Sequence, residues 1–265
     1  MQDLAGKVSV VTGGASGIGR GLCTSLAAAG CAVIVADIDV AGAEAVAAKL
    51  REGGARAQAA AVDVADPKSV ERLAEESVRD FGAVHVVCNN AGVIVGGSLQ
   101  EATESDWRWV LDVNVRGVIH GCRTFVPRLL DQGQGGHIVN TASVGGFLSG
   151  PGLGVYCTSK YAVVAFTEAL RAELDASGIG VSVLCPGGVR TRLIEADRNR
   201  PAAFAESSGR AEALRPALES GIEPEVVGEC AVAGIRANRD YIFTHPEYRE
   251  IIARRFETVL SAFDA

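Results

Sequence analysis

The sequence predicts an α/β fold, a doubly wound parallel sheet of about seven strands with helices on both faces. Three observations predict it. Short apolar runs bounded by glycine alternate with helix-length segments along the chain, as parallel strands buried on both faces do. The first run passes through a glycine-rich turn straight into a helix. No repeat, low-complexity tract or linker divides the 265 residues, a length that fills one large core, so positions 1–265 are expected to form a single domain.

The elements follow in order. Val8–Thr12 is a run rich in β-branched residues, the first strand. Residues 17–29 form a helix closed by Gly30, where a left-handed backbone suits glycine. Residues 31–38 are the second apolar run, 41–51 a helix stopped at Gly53-Gly54, and 57–64 a weaker, alanine-rich strand. Pro67 stands where proline opens a helix, here Pro67–Phe81, and 84–89 is the fourth strand. A long helix is expected over 104–131, a strand over 137–142, a helix over 155–177 and a strand over 180–185. Residues 188–215 lack a clear element; long loops in compact domains are functional lids or disordered, and this one is expected to be a substrate lid. A helix at 224–238, a short strand at 241–244 and a helix from Pro246 complete the chain.

Hydrophobic residues make up 48% but aromatics only 5%, so the core must be built from Ala, Val, Leu and Ile. The net charge of −7 comes from interspersed acids and bases. It offers no basic patch for nucleic acid or an anionic membrane. Cys23, Cys31, Cys88, Cys122, Cys157, Cys185 and Cys230 are odd in number, include no C-x-x-C pair and sit partly inside apolar runs. They fit buried free thiols in a reducing compartment. The four histidines are isolated, so no metal site is expected. Neither a signal peptide nor an apolar run of the ~20 residues a bilayer needs is evident, and the expected location is the cytoplasm.

Between the first strand and helix lies Thr12-Gly13-Gly14-Ala15-Ser16-Gly17-Ile18-Gly19. Gly13 allows the tight turn, Gly17 a close backbone approach to a pyrophosphate, and Gly19 close packing of helix on sheet, as in a Rossmann-type dinucleotide site. The helix N-terminus adds free N–H groups and partial positive charge. Asp37 ends the second strand. Its carboxylate can accept from the adenosine ribose hydroxyls and repels a 2′-phosphate, while Ser16 and Ile38 offer no cation to hold one. NAD is therefore favoured over NADP, with a surface turn the alternative role of Asp37.

Tyr156 and Lys160 open a helix four positions apart, on one face. Oxidation of an alcohol needs a base for its hydroxyl proton. A free phenol, with a pKa near 10, is a poor base at neutral pH; a neighbouring Lys⁺ and the positive nicotinamide ring would lower it. Tyr-x-x-x-Lys alone carries little weight.

Together with the glycine turn, Asn89-Asn90-Ala91-Gly92, Asn114, Ser143, Tyr156-x-x-x-Lys160 and Pro186-Gly187 occur in the order and spacing of the short-chain dehydrogenase/reductase family, which the sequence resembles over essentially its whole length. The resemblance implies an NAD-linked enzyme acting on a CH–OH group. Gly13, Ser16, Gly17, Ile18 and Gly19 would bind the cofactor, Asp63 and Val64 would contact the adenine, and Asn90, Ala91 and Gly92 would line the site, Asn90 also bracing the sheet. Asn114 would hold a water in a proton relay with Lys160. Ser143 would bind the substrate oxygen, Lys160 also the nicotinamide ribose, and Pro186, Gly187, Val189 and Thr191 would flank the nicotinamide. Simpler roles stay open: a structural amide for Asn114, a cap for Ser143 or Asp63, a loop hydroxyl for Thr191. The resemblance also implies a homo-oligomer, a dimer or tetramer.

The expected substrate is a secondary alcohol or ketone on an apolar skeleton. Val93-Ile94-Val95, Val144, Phe147-Leu148, Leu153 and Leu193-Ile194 are expected to wall its pocket, Trp107 and Trp109 to serve packing or interfaces, and Arg190, Arg192, Arg198 and Arg200 to form a solvated lid surface, with the binding of an anionic substrate their alternative role. An NADPH-linked ketoreductase and a silent dinucleotide-binding regulator are the rival readings.

Overall fold

The computed structural model describes residues 1–204, 212 and 214–264. Its strands are β1 (Val8–Thr12), β2 (Ala32–Asp37), β3 (Ala57–Ala61), β4 (Val86–Asn89), β5 (Gly136–Thr141), β6 (Ile179–Cys185) and β7 (Tyr241–Phe243). They form one seven-stranded sheet in the order β3-β2-β1-β4-β5-β6-β7. Each neighbouring pair is parallel. This is a Rossmann-like α/β fold. The order reverses between β1 and β4, and open α/β sheets bind ligands in the crevice above such a switch point.

Eight helices of interest flank the sheet: α1 (Gly17–Ala28), α2 (Val40–Glu52), α3 (Pro67–Phe81), α4 (Glu104–Leu111), α5 (Gly117–Gln132), α6 (Gly154–Leu174), α7 (Arg215–Glu219) and α8 (Pro224–Arg236). A further helix, α9 (Arg249–Ser261), buries none of its residues. Side chains alternate between the faces of the buried strands. Val8 and Val10 join Phe125, Leu129 and Ile138 in one core. Val11 joins Leu22, Leu26, Val33 and Ile235 in the other. A buried chain Asn89–Asn140–Thr167 ties β4, β5 and α6 with bonds of 2.9 and 3.1 Å. Among the described residues, no helix is long and apolar enough to cross a membrane.

The long helix expected over 104–131 is interrupted. A π-helical turn, Asp112–Arg116, separates α4 from α5. The extra residue in such a turn re-aims a side chain, and the one buried side chain in it is Asn114. The expected lid is partly ordered: Leu193–Asn199 and Ala202–Phe204 form 3₁₀ turns, and α7 closes it. Its residues 205–211 and 213 lie outside the described residues.

Candidate active site

A cavity runs over the C-terminal ends of β1, β4 and β5. Every expected cofactor residue lines it: Gly13, Ser16, Gly17, Ile18, Gly19, Asp37, Asp63, Val64, Asn90, Ala91, Gly92, Tyr156, Lys160, Pro186, Gly187, Val189 and Thr191. Gly17 has φ +51°, and a Cβ there would lie 2.9 Å from the Thr191 side chain, so the turn and the lid meet at this glycine. The missing Cβ of Gly19 would meet the Gly13 carbonyl at 2.0 Å and the Asn90 side chain at 2.8 Å, so the bare backbone there lets α1 start close against the ends of β1 and β4. Ser16 precedes α1 and makes no capping bond with its side chain, and the first turn of α1 holds no acid. Its free N–H groups and hydroxyl suit an anion.

Asp37 stitches β2 to this turn. Its two oxygens accept from the Ala15 and Asp39 N–H groups, each at 2.9 Å. Carboxylate oxygens have further lone pairs, so this engagement is compatible with ribose binding. Asp63 accepts from Ala65 N–H at 2.9 Å, while the α3 cap is Asp66, which removes the capping alternative for Asp63. Asn90 braces the sheet: its Nδ2 donates to the Thr12 carbonyl at 3.0 Å, and its N–H donates to Thr12 Oγ1 at 3.0 Å.

Tyr156 and Lys160 stand on successive turns of α6. Lys160 is buried, and its Nζ donates to the Thr141 carbonyl at the end of β5, 2.9 Å away. The ammonium is 5.6 Å from the centre of the Tyr156 ring. Burial lowers Lys160 to about 8, with the neighbouring Cys185 opposing. Burial pushes the Tyr156 phenol up to about 12, the Ser143 hydroxyl acting against it and Cys157 with it. The expected lowering by Lys160 is therefore not supplied by the protein alone, because the ammonium lies over the ring and is engaged by Thr141. Ser143 is buried; it donates to the Pro186 carbonyl at 3.3 Å and accepts from Gly145 N–H at 3.0 Å.

Asn114 is wholly buried and makes three hydrogen bonds. Its Oδ1 accepts from Val93 N–H at 2.8 Å, and its Nδ2 donates to the Val93 carbonyl at 2.9 Å and Ser159 Oγ at 3.0 Å. Its amide thus pins the strand-end segment at Val93 to α6. The space between Asn114 Oδ1 and Lys160 Nζ is kept by Gly92, whose missing Cβ would stand 3.4 and 3.6 Å from them.

The far half of the cavity is lined by Val93, Trp109, Val113, Leu193, Ala196 and Phe204, with Asp112, Arg192, Arg198 and Leu218 also present. Of the expected walls, Val93 and Leu193 reach it. Ile94 and Val95 are buried without lining it, and Phe147 turns away to pack on Phe243, ring centres 5.3 Å apart. Trp109 is a wall rather than packing alone; it shares a helix face with Val113, one turn on, a spacing the sequence did show. Arg200 is not a solvated lid residue. Its side chain is 3% exposed and pairs at 2.6 Å with Asp106, 1% exposed. Its guanidinium lies 4.8 Å over the Trp109 ring. Burial works to raise the Asp106 carboxyl, but bonds from Arg200 and Thr103 hold it below the usual value. Nothing in the sequence marked His245, buried against the Gly187-Gly188 backbone at 3.0 and 2.9 Å.

A cradle for a dinucleotide thus ends at the half-buried Tyr156 and the buried Ser143 and Lys160. The family model described as short chain dehydrogenase matches residues 7–202. The chain belongs to the short-chain dehydrogenase family. Such a dehydrogenase is an oxidoreductase that binds a nicotinamide dinucleotide and acts on CH–OH groups. The chain is 35% identical over 268 residues to a C alpha-dehydrogenase of Sphingobium sp., covering 99% of this chain and 88% of that protein. It is 37% identical to a 1-deoxy-11-beta-hydroxypentalenate dehydrogenase of Streptomyces exfoliatus, covering 96% and 88%. A short-chain dehydrogenase from Burkholderia phymatum, solved in complex with NAD, superposes with a TM-score of 0.95 at 38% identity over 99% of this chain and 97% of that one.

Proposed function

We propose that this short-chain dehydrogenase is NAD-dependent and interconverts a secondary alcohol and a ketone on an apolar skeleton. The observation that carries the reading is the Tyr156 hydroxyl beside Ser143 where the dinucleotide cradle meets an apolar chamber. Asp37, Ile38 and Asp39 line the ribose end of the cradle; two acids there favour a free ribose over a 2′-phosphate. The solved relative with NAD supports the same choice, as does a relative named for a hydroxyl-bearing, multicarbon substrate for the alcohol.

The turn at Gly13–Gly19, Asp37 and Lys160 would hold NAD, which when bound would supply a hydride acceptor and a positively charged ring. The protein's own work is proton handling and placement. Ser143 and Tyr156 hold the substrate oxygen, and Tyr156 Oη takes its proton as general base, or returns it in reduction. Lys160 supplies the buried charge beside the tyrosinate. Asn114 fixes the Val93 segment and the wide helical turn, through which a water-borne proton path would reach Lys160. The apolar wall of Val93, Trp109, Leu193 and Phe204 excludes water from the reacting atoms.

An alcohol panel followed by NADH absorbance, run in parallel with NADP, tests the reading. Bulky secondary alcohols should turn over with NAD. Preference for NADP would make the chain a ketoreductase of the rival kind, and no turnover with any alcohol would leave a regulator. A homo-oligomer is part of the proposal: Tyr241 and Phe243 on edge strand β7 are 39% and 41% exposed, and light scattering should return a dimer or tetramer. So is a cytoplasmic location, which fits the free thiols.

A further inference from the structure

His245 lies 58 residues beyond Gly187 in the chain and outside the stretch that the family model matches, yet it is built into the wall of the site. It is buried, on the turn that follows β7. Its Nδ1 faces the Gly187 N–H at 3.0 Å, and its Nε2 faces the Gly188 carbonyl at 2.9 Å. A carbonyl can only accept and an N–H can only donate. Nε2 therefore carries the proton, Nδ1 presents its lone pair, and the ring must be neutral for both bonds to form. Missing side chains at Gly187 leave room for it: a Cβ there would meet the ring at 2.9 Å and Tyr248 at 2.8 Å.

We infer that His245 is a positioning residue whose neutral ring sets the Gly187-Gly188 loop for the cofactor, and that protonation at Nδ1 releases it. This rests on the proposed reading of the cavity as a nicotinamide dinucleotide site. The loop is a wall of that cavity through Pro186 and Gly187. It also carries the Pro186 carbonyl that receives the Ser143 hydroxyl. One clamp therefore steadies both the cofactor wall and the substrate-binding serine.

A second partner makes the device two-state. Thr244 Oγ1 lies 2.7 Å from Nδ1. Once Nδ1 gains a proton it donates to Thr244, and the Gly187 N–H is left facing another N–H. The groups around the ring are Tyr248, edge-on with ring centres 6.1 Å apart, Thr244, and the backbone of the loop; Glu247 nearby is exposed. Tyr156 and Lys160 share the cavity with Gly187 from the α6 side. None of these offers His245 an ion pair among the described residues; backbone bonds from Ile222 N–H to the Gly188 carbonyl and from Val144 N–H to the Pro186 carbonyl hold the rest of the loop, and the Gly187 N–H relies on the Nδ1 lone pair.

The test uses the full chain and the variants His245→Asn, whose side chain still accepts near Gly187 but does not titrate, and His245→Leu. In the cofactor-free protein, the Gly187 amide signal in a ¹⁵N–¹H spectrum should move on acidification in the wild type and stay in His245→Asn. In NADH titrations followed by fluorescence, the wild type should lose affinity on the acid side, His245→Asn should be flat with pH, and His245→Leu should bind about tenfold more weakly at every pH, the worth of a lost hydrogen bond. A Gly187 signal that ignores acid, or that moves equally in His245→Asn, overturns the clamp. So does a His245→Leu protein that binds NADH like the wild type; if that variant does not fold, His245→Asn decides alone. A Gly187 signal that titrates as described, in a protein that binds neither NADH nor NADPH, keeps the clamp and defeats the dinucleotide reading instead.

Discussion

His137 should make the protein's stability fall with acid by an amount the structure sets. It is wholly buried in β5. Its Nε2 lies 2.8 Å from Ser182 Oγ, whose hydroxyl donates to the Arg239 carbonyl, so Nε2 is the protonated nitrogen. Its Nδ1 has no partner among the described residues. Burial lowers the ring to about 3, helped by the N-terminal charge and Arg171. An unfolded histidine titrates near 6.5. The folded value is the lower one, so the contribution is present above about 6.5 and is lost as pH falls from there towards about 3, because only the unfolded chain takes up the proton. Between pH 7.5 and 5.5 the loss is about 1.4 kcal/mol, and by pH 4.5 about 2.7 kcal/mol. Urea unfolding of the wild type and His137→Leu at one protein concentration measures it. The variant should lose about 1.4 kcal/mol less over the first interval. Equal losses in the two proteins would show that His137 is protonated in the fold and would refute the reasoning.

Other substitutions separate the parts of the site. Tyr156→Phe should lower kcat by at least about 10²-fold, the scale of a positioned acid–base group, with the NADH dissociation constant unchanged; substantial turnover in stopped-flow assays would remove Tyr156 as the base. Asp37→Ala should weaken NAD about tenfold, the worth of bonds to a charged acceptor, and narrow its advantage over NADP in paired KM measurements. Arg200→Met leaves the buried Asp106 carboxylate without its partner, so it should raise the substrate KM about tenfold or more through a displaced lid and Trp109, while NADH affinity holds; Asp106→Asn added to it should recover part of the loss.

Much of the fold was legible because the strands are buried on both faces. Val8–Thr12 and the runs at 31–38 and 84–89 are dominated by Val, Ile, Ala and Cys, with few polar residues among them, and are bounded by turns, which marks a short buried strand. The cradle was legible because its parts lie close in sequence. What stayed hidden depends on geometry across the fold. Nothing local distinguishes 104–131 as two helices around a π turn; the turn follows from Asn114 reaching Val93 and Ser159. Arg200 looked like surface because its partner Asp106 is 94 residues away, and a buried pair cannot be told from a solvated charge without knowing that both ends meet. Phe147 looked like a pocket wall because it follows Ser143 closely, but the edge strand's aromatic rings draw it to the other side. Local spacing locates groups on one element; tertiary partners decide which of them face the chamber.

Lys160 shows what that chamber demands of the fold. Its ammonium is buried with one carbonyl as partner, and burial brings it to about 8 from an ordinary value of 10.5. The folded value is again the depressed one, so the unfolded chain holds the proton more tightly. Stability should therefore rise as pH climbs from about 8 to about 10.5, and at neutral pH the lysine burdens the cofactor-free fold by about 3 kcal/mol. Lys160→Met removes the charge and leaves the Thr141 carbonyl without its donor, which restores a penalty of about 1–3 kcal/mol. The two nearly offset. The variant should unfold in urea at pH 7.5 within about 1 kcal/mol of the wild type, or above it, while its activity is lost and its gain of stability above pH 8 disappears. A Lys160→Met protein less stable by more than about 2 kcal/mol at pH 7.5, with the alkaline rise intact, would mean that the ammonium is well solvated in the fold. Lys160 would then not be the desolvated charge that a tyrosinate at this position requires.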